Sequence, residues 1–279
     1  MNPLGDFGPH IKYLKKKADV FATRILSPRL SASDVSIFHR TTYVPSMRYG
    51  LAAVSIDEEE LGTVQSRIIP AILKKLNVQS TIPTSIRHGP RELGDHDLYD
   101  LRTEVGIESL KFFRDAIYSN SETGKLLRLN LQYLQIEAGI GQDLLQFPNI
   151  HISYLTPTWI LSLRQFLSLH NMSVVVSDVH TIKLSGASDE YIMQETHLRR
   201  YSPAQQKDIN LVRLFLQVTT LADITDRSNP KAINLSLLDG QRPVGFTASN
   251  LWPRQQTPSK HQIRLWKRYI KSSYLRYVP

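Results

Sequence analysis

The 279-residue chain is long enough to bury a sizeable apolar core, and its 41% of apolar and 21% of charged residues exclude a disordered tail. It contains no cysteine, which excludes disulfides, thiolate zinc sites and a cysteine nucleophile. Its net charge of +9 favours a polyanionic partner, although a soluble protein that is merely basic would show the same excess.

The positive charge is concentrated at the two ends of the chain. Residues 1–30 hold six lysines and arginines against two aspartates, and the last 22 residues hold six against none. The first residues lack a signal-peptide pattern, and no stretch approaches the roughly 20 apolar residues of a membrane span. We therefore expect a soluble intracellular protein, nuclear or cytoplasmic, with two local contacts to a polyanion and no contact with membrane.

The first predicted helix covers residues 9–27. Its apolar residues recur every three or four positions, which places them on one face. Three lysines, Lys12, Lys15 and Lys16, project from the other face. This arrangement indicates a helix that is buried on one side and available to phosphates on the other.

The next two predicted helices each contain a proline. Ser33 is predicted to cap the second helix, which should be kinked or broken at Pro45 because proline lacks a backbone donor. Residues 57–76 are predicted to form the third helix, with acids at its positive end and a bend at Pro70. Residues 79–97, rich in glycine and proline, are predicted to be a long polar loop.

The remaining elements are mostly helical. Helices are predicted over residues 99–118 and 122–141 and after Thr156, Ser202 and Ser259. The run 172–184 is rich in β-branched residues and favours β-structure, and residues 232–238 are predicted as a second short strand. The sequence therefore predicts a mainly α fold with minor β-structure.

No residue set for catalysis stands out. The chain has no Asp-Asp pair of the polymerase kind, no glycine-rich phosphate loop of standard spacing and no recognisable Ser-His-Asp triad. Asp95, His96 and Asp97 are the one tempting metal-binding set, but no fourth ligand is obvious. We predict no catalytic residue, metal, cofactor or small-molecule ligand, and keep a metal site at these three residues as an alternative.

The C-terminal helix is the strongest candidate for binding nucleic acid. Ile263, Trp266 and Ile270 form its predicted anchoring stripe, and its basic residues cover the opposite arc. Such a helix can lie along a phosphate backbone, with Trp252, Tyr269 or Tyr274 available to stack on bases. An ordinary amphipathic helix and a membrane-surface helix are the alternatives. The predicted phosphate contacts here are Arg264, Lys267, Arg268 and Lys271.

Two further arginines, Arg87 and Arg91, lie in the predicted loop. A loop rich in glycine and proline can present them to phosphates, but it can equally be a solvated segment without a ligand. We include both arginines, together with Lys12, Lys15 and Lys16, among the predicted nucleic-acid contacts.

Residues 39–50 carry a pattern of Tyr43, Pro45 and Tyr49-Gly50 that resembles the thumb region of non-long-terminal-repeat reverse transcriptases. In that family the segment follows a helix that comes after a Leu-Gly turn, and Leu4-Gly5 and the first predicted helix occupy those places. Gly94-Asp95-His96-Asp97 replaces the Gly-Gly-Leu-Gly run that is usual in the related elements, which would alter this turn.

The resemblance continues through the region after the thumb, in order along the chain, to about residue 170. The segments that carry it are Ile82-Pro83, Arg87-His88-Gly89-Pro90, Leu93-Gly94, Leu98-Tyr99-Asp100-Leu101, Glu104-Val105-Gly106-Ile107, Thr123-Gly124, Gln135, Thr156-Pro157-Thr158-Trp159 and Arg164-Gln165-Phe166-Leu167.

The resemblance implies a thumb-like helical bundle over residues 1–80 and a second helical body over residues 81–279. It implies a non-catalytic part of a reverse transcriptase, a fragment whose palm domain is separate or lies upstream. Its partners would be RNA or DNA, as primer–template or as the element's own RNA. The alternative is a degenerate remnant of the element that acts as a protein-interaction module.

Overall fold

The structure is a computed structural model, and several short segments lie outside what it describes. Among the sequence predictions, the Leu4-Gly5 turn, Tyr49-Gly50, Gly94-Asp95 and the middle of the 172–184 strand fall in those segments. The structure describes residues 7–48, 51–56, 58–93, 96–177, 183–187, 189–226, 229, 232–243, 245–249, 252–253 and 255–274.

The fold is mainly α, as predicted. No sheet forms among the described residues, and their β-structure consists of two isolated bridges, Tyr191 with Thr220 and Thr225 with Ile233. The helices are α1 (Gly8–Ile25), α2 (Ala32–Phe38), α3 (Val44–Arg48), α4 (Glu58–Gln65), α5 (Ile69–Lys75), α6 (Thr84–His88), α7 (Leu101–Ile117), α8 (Glu122–Ala138), α9 (Trp159–Leu169), α10 (Glu195–Leu198), α11 (Pro203–Leu216), α12 (Leu235–Leu238) and α13 (Lys260–Tyr274).

The chain divides into two compact units. Unit 1 comprises Met1–Tyr118 with Thr158–Leu163, and unit 2 comprises Ser119–Pro157 with Arg164–Pro279. The boundary after residue 80 comes from the family resemblance and not from compactness, and it stays a prediction. Within the described residues, no helix is both long and apolar enough to cross a bilayer.

The core of unit 1 is built around α1. The predicted apolar face is buried, with Ala18 and Ile25 fully inaccessible, and α1 packs against α4 and α5. Phe21 meets Tyr43 edge-on with 5.4 Å between ring centroids. The predicted phase of this helix is therefore confirmed, because its three- and four-residue spacing places the apolar residues on one side.

The cap predicted at Ser33 is wrong, and of the predicted kink or break at Pro45 the break is absent, since residues 32–48 are helical throughout. The N-cap of α2 is Ser31, not Ser33, because a capping box needs an acceptor side chain three residues on, and Asp34 provides it. At the other end, a π-helical segment, His39–Tyr43, joins α2 to α3, and the Val44 N–H donates to the His39 carbonyl. The wider π turn directly precedes Pro45, whose missing N–H and bulky ring disturb ordinary helical bonding.

Two other predictions need correction in unit 1. The single helix predicted over residues 57–76 is two helices, and Pro70 lies in the first turn of α5, where a missing N–H has no cost. The predicted loop contains α6 and a 3₁₀ turn, Arg91–Leu93.

Unit 2 is organised by α8, α11 and α13. Helices α11 and α13 pack against each other, and α12 contacts α13. The predicted helix start at Ser202 is confirmed, since its side chain and that of Gln205 form a capping box. Residues 235–238, predicted as strand, instead form α12, because Asn234 caps a helical turn there.

Candidate nucleic-acid interface

The outer face of α1 carries the first group of predicted contacts. Lys12 and Lys16 are exposed, and Lys15 is half-buried. Because the opposite face of the helix holds the unit 1 core, the exposed lysines extend away from that core. No ion pair engages these three lysines among the described residues.

An exposed aromatic ring lies on the same helix, next to Lys12 in the sequence. Tyr13 is 57% exposed, and the Lys17 ammonium lies 5.8 Å from its ring centroid. The Lys17 Nζ also donates to the Ser46 carbonyl at 2.7 Å, which holds this cation beside the ring. His10 stacks against Tyr13 from the preceding turn, with 6.2 Å between ring centroids. Sequence reasoning missed Tyr13, although its position beside Lys12 on the polar face was a usable signal.

Arg87 is not displayed on a loop as predicted. It belongs to α6, is half-buried, and its Nη2 donates to the Ile82 carbonyl at 3.0 Å. Its Nε is buried without a hydrogen-bond acceptor among the described residues. Arg91 begins the 3₁₀ turn, and its side chain lies outside the described part of the chain.

Helix α13 is anchored more deeply than its sequence indicated. Ser259 and Gln262 form a capping box at its start, with the Ser259 N–H donating to Gln262 Oε1 at 2.9 Å. Trp266 is fully buried and its Nε1 donates to the Leu237 carbonyl at 3.0 Å. Tyr269 is also fully buried and donates its hydroxyl hydrogen to the Ile192 carbonyl.

The buried arc of α13 changes which aromatic rings can meet a ligand. It includes Leu265 and Tyr269 beside Trp266 and Ile270, whereas Ile263 is only half-buried. The prediction that Tyr269 can stack on bases is therefore wrong, because its ring is in the core. Burial also raises the pKa of the Tyr269 phenol, which stays protonated.

The other two predicted stacking rings have different outcomes. Trp252 is half-buried, with the Arg213 guanidinium 5.7 Å from its ring centroid, so one face of the indole is already occupied. The side chain of Tyr274 lies outside the described residues. Within the described residues, unit 2 therefore offers no freely exposed ring from the predicted set.

The cations of α13 differ in availability. Lys267 is 39% exposed and its Nζ lies 2.6 Å from a carboxylate oxygen of Asp239, so part of its charge is already compensated. Arg264, Arg268 and Lys271 are exposed, and no described acidic residue pairs with them. The exposed arc of α13 is therefore uniformly basic.

A buried arginine that sequence reasoning missed holds unit 2 together. Arg213 is fully buried, and its guanidinium donates to the carbonyls of Ile136 and Glu137 at 2.8 and 2.9 Å and to Asn210 Oδ1 at 2.8 Å. Burial lowers its pKa to about 10, which still leaves it charged at neutral pH. This cation is committed to helix carbonyls, so its role is structural.

The alternative of a metal site at Asp95, His96 and Asp97 finds no support among the described residues. Asp97 is engaged by the Arg40 guanidinium, whereas Asp95 lies outside the described residues. No group of three potential ligands converges among the described residues.

The predicted phosphate contacts divide between the two units. Unit 1 contains Lys12, Lys15, Lys16, Arg87 and Arg91, and unit 2 contains Arg264, Lys267, Arg268 and Lys271.

Comparisons with known proteins identify no relative. No model of a protein family, no curated protein and no solved structure matches the chain. The resemblance described above therefore stays a prediction, and function has to be argued from the two basic helices.

Proposed function

We propose that the chain is the non-catalytic, nucleic-acid-binding part of a retroelement reverse transcriptase, an RNA-directed DNA polymerase. It holds primer–template or the element's own RNA, and the polymerase chemistry belongs to a palm domain that is separate or lies upstream. The resemblance through residues 4–170 supports this assignment. The resemblance gives the class of protein, and the exposed cations of α1 and α13 indicate how nucleic acid is bound.

The observation that carries the proposal is the exposed Tyr13 beside Lys12 and Lys16 on α1. Beyond its contacts with His10 and Lys17, the Tyr13 ring keeps 57% of its surface exposed on a face that carries exposed lysines. Nucleic-acid-binding surfaces combine cations that follow the phosphates with aromatic rings on which bases stack. Tyr13 provides the ring, and the neighbouring lysines provide the charge.

Helix α13 supplies the second contact of the proposed interface. Its buried Trp266 and Tyr269 fix the helix to unit 2, so that Arg264, Arg268 and Lys271 are presented on a rigid element. Without an exposed tyrosine or tryptophan ring among its described residues, α13 is expected to contact mainly phosphates. The two helices thus differ in kind, one combining stacking with charge and the other contributing mainly charge.

The proposal is tested by binding of single-stranded RNA, measured by fluorescence anisotropy at several salt concentrations. Tyr13→Leu should weaken binding by about 1–3 kcal/mol without changing the salt slope, because it removes stacking and leaves the charge. Lys12→Gln with Lys16→Gln should reduce the slope by roughly 1.5, because each phosphate contact contributes about 0.7–0.9.

Matched controls separate specific contacts from general effects of charge and exposure. Tyr118→Leu removes an equally exposed ring, and Lys74→Gln with Lys207→Gln removes two exposed charges from elsewhere. These variants should bind RNA as the parent does. If they weaken binding as much as the α1 variants do, the α1 interface is wrong.

A protein-interaction module is the second candidate, and one observation favours it. Leu126, Leu129 and Tyr133 are exposed on one face of α8, where they form an apolar stripe suited to a protein partner. Under this alternative, RNA binding is weak and does not change when Arg264, Arg268 and Lys271 are replaced. The same salt titrations therefore decide between the two candidates.

A further inference from the structure

Unit 1 contains a cleft of about 280 Å³ that is distinct from the exposed face of α1. Residues of α4, α5 and α6 line it, together with the first turn of α7. None of its described lining residues is acidic. The polar lining includes Arg87, Arg102, Ser66, Ser80 and Thr84.

Arg87 supplies the cleft with a guanidinium group. Its Nη2 donates to the Ile82 carbonyl at 3.0 Å, which holds the guanidinium in place. Its Nε is buried, and no described residue accepts a hydrogen bond from it. A buried N–H group without a partner costs free energy until an acceptor reaches it. Because this nitrogen has no accessible surface, a ligand in the cleft can contact only the remaining part of the half-buried guanidinium.

Arg102 adds a second guanidinium to the lining. Its Nε donates to the Asp100 carboxylate at 3.2 and 3.3 Å, and no described residue engages its two terminal nitrogens. The start of its helix is tied to α4, because the Leu101 N–H donates to the buried Gln65 Oε1 at 2.9 Å. Asp100 offsets one of the two positive charges, and the cleft keeps a net positive charge from Arg87.

We propose that this cleft binds a phosphate monoester on a small carrier, of the size of a sugar phosphate. Guanidinium groups match the tetrahedral oxygens of phosphate, and the serine and threonine hydroxyls can add donors. The volume lies at the lower limit for small-molecule sites, so a larger ligand would extend into solvent. This inference does not depend on the proposed nucleic-acid function, because the cleft is separate from the exposed face of α1, although Arg87 is among the predicted contacts of both.

The test is calorimetric titration of the full chain with ribose 5-phosphate, inorganic phosphate, a nucleoside 5′-monophosphate and ribose. Side-chain ¹H–¹⁵N spectra of the arginines, assigned through Arg87→Gln and Arg102→Gln, report the contact directly. Ribose 5-phosphate should bind and shift the Arg87 Nε–H signal, whereas ribose should do neither. Absence of binding by every phosphate compound at millimolar concentration would overturn the proposal.

A second arm identifies the source of the phosphate. A short oligonucleotide with a 5′-phosphate is compared with the same strand lacking it. If the phosphorylated strand shifts the Arg87 signal and the unphosphorylated strand does not, the cleft binds a strand end. If ribose 5-phosphate binds in the cleft and competes with neither strand, the cleft binds a free metabolite. Either result supports phosphate recognition in the cleft, and both remain readable if the α1 interface fails its own test.

Three substitutions localise the binding. Arg102→Gln should lower the affinity for ribose 5-phosphate about tenfold or more, because a charged hydrogen-bond donor is lost. Arg114→Gln is the matched control, since it removes an exposed arginine that is also paired with an aspartate in α7. Gly62→Leu should block the cleft, because Gly62 lines it and a Cβ added there meets no atom within 4 Å, which leaves room for the larger side chain.

The Gly62→Leu variant also separates loss of the site from loss of the fold. Replacing a helical glycine with leucine should leave the thermal midpoint unchanged or higher. Full binding by Gly62→Leu, or an equal loss in Arg114→Gln and Arg102→Gln, would overturn the assignment to this cleft.

Discussion

At the scale of single residues, the π-helical segment places two polar groups in the core of unit 1. His39 is 1% exposed and stacks on Tyr43 with 5.5 Å between ring centroids. Neither His39 Nδ1 nor the Tyr43 hydroxyl has a hydrogen-bond partner among the described residues. Burial, followed by repulsion from His88 and Arg40, lowers the pKa of His39 from 6.5 to about 4.

This burial predicts that stability declines in mild acid. Between pH 6.5 and about 4, the unfolded chain protonates His39 and the folded chain does not, so stability falls as the pH falls. Above pH 6.5 His39 is neutral in both states and costs the fold nothing. Between pH 6.5 and about pH 4, the free energy of unfolding falls by about 3 kcal/mol. Urea unfolding of the parent and of His39→Phe at pH 7 and pH 4 measures it. Identical pH dependence in both proteins would contradict the prediction.

The buried guanidinium of Arg213 makes a second residue-scale prediction in unit 2. Gly139 ends α8 with a φ of 66°, and a Cβ added there would lie 2.6 Å from Arg213 Cζ. Gly139→Ala should therefore destabilise the protein by about 1–3 kcal/mol, from backbone strain and the clash together. Gly62→Ala is the control, because the helical glycine has free space and its replacement should stabilise by about 0.5–1 kcal/mol. Thermal or urea unfolding of both variants measures the contrast.

At the scale of secondary-structure elements, α13 combines an anchored face with a basic face, and the two can be separated. Trp266→Ala removes a fully buried side chain whose Nε1 donates to Leu237. We expect it to lower the free energy of unfolding by about 3–5 kcal/mol. Chemical unfolding measures this, and a stable variant that binds RNA poorly would show instead that Trp266 contacts bases.

The basic face of α13 is tested by charge removal. Replacing Arg264, Arg268 and Lys271 with Gln should reduce the slope of log affinity against log salt by roughly two, because each phosphate contact contributes about 0.7–0.9. Lys267→Gln should have a smaller effect, since Asp239 already compensates that cation. Salt titration of RNA binding measures both variants. An unchanged slope in the triple variant would contradict the proposed contact.

At the scale of the whole molecule, the prediction concerns chemistry. Two-metal nucleotidyl transfer requires carboxylates that converge on paired metal ions, and the sequence contains no Asp-Asp pair of the polymerase kind. The purified 279-residue chain should therefore extend no primer. Incorporation of labelled nucleotide on a primer–template measures this, with an active reverse transcriptase on the same substrate as the control. Template-dependent extension by the chain itself would contradict the prediction.

The amino-acid sequence by itself determined the helical class and the phase of the strongest helices. The apolar face of α1 and the starts of α11 and α13 agree with the structure, because helix periodicity and capping depend on residues three or four positions apart. The strand predicted over residues 232–238 failed at 235–238, because Asn234 caps a helical turn there.

Only the tertiary structure decided which predicted contacts are available to a ligand. Lys267 is compensated by Asp239, Tyr269 is buried, and Arg87 donates to Ile82 and lines a cleft. A helical projection of α13 does not show how wide its buried arc is, because that width depends on the elements packed against it. Pairing and burial join residues that are distant in sequence, so local periodicity carries no information about them.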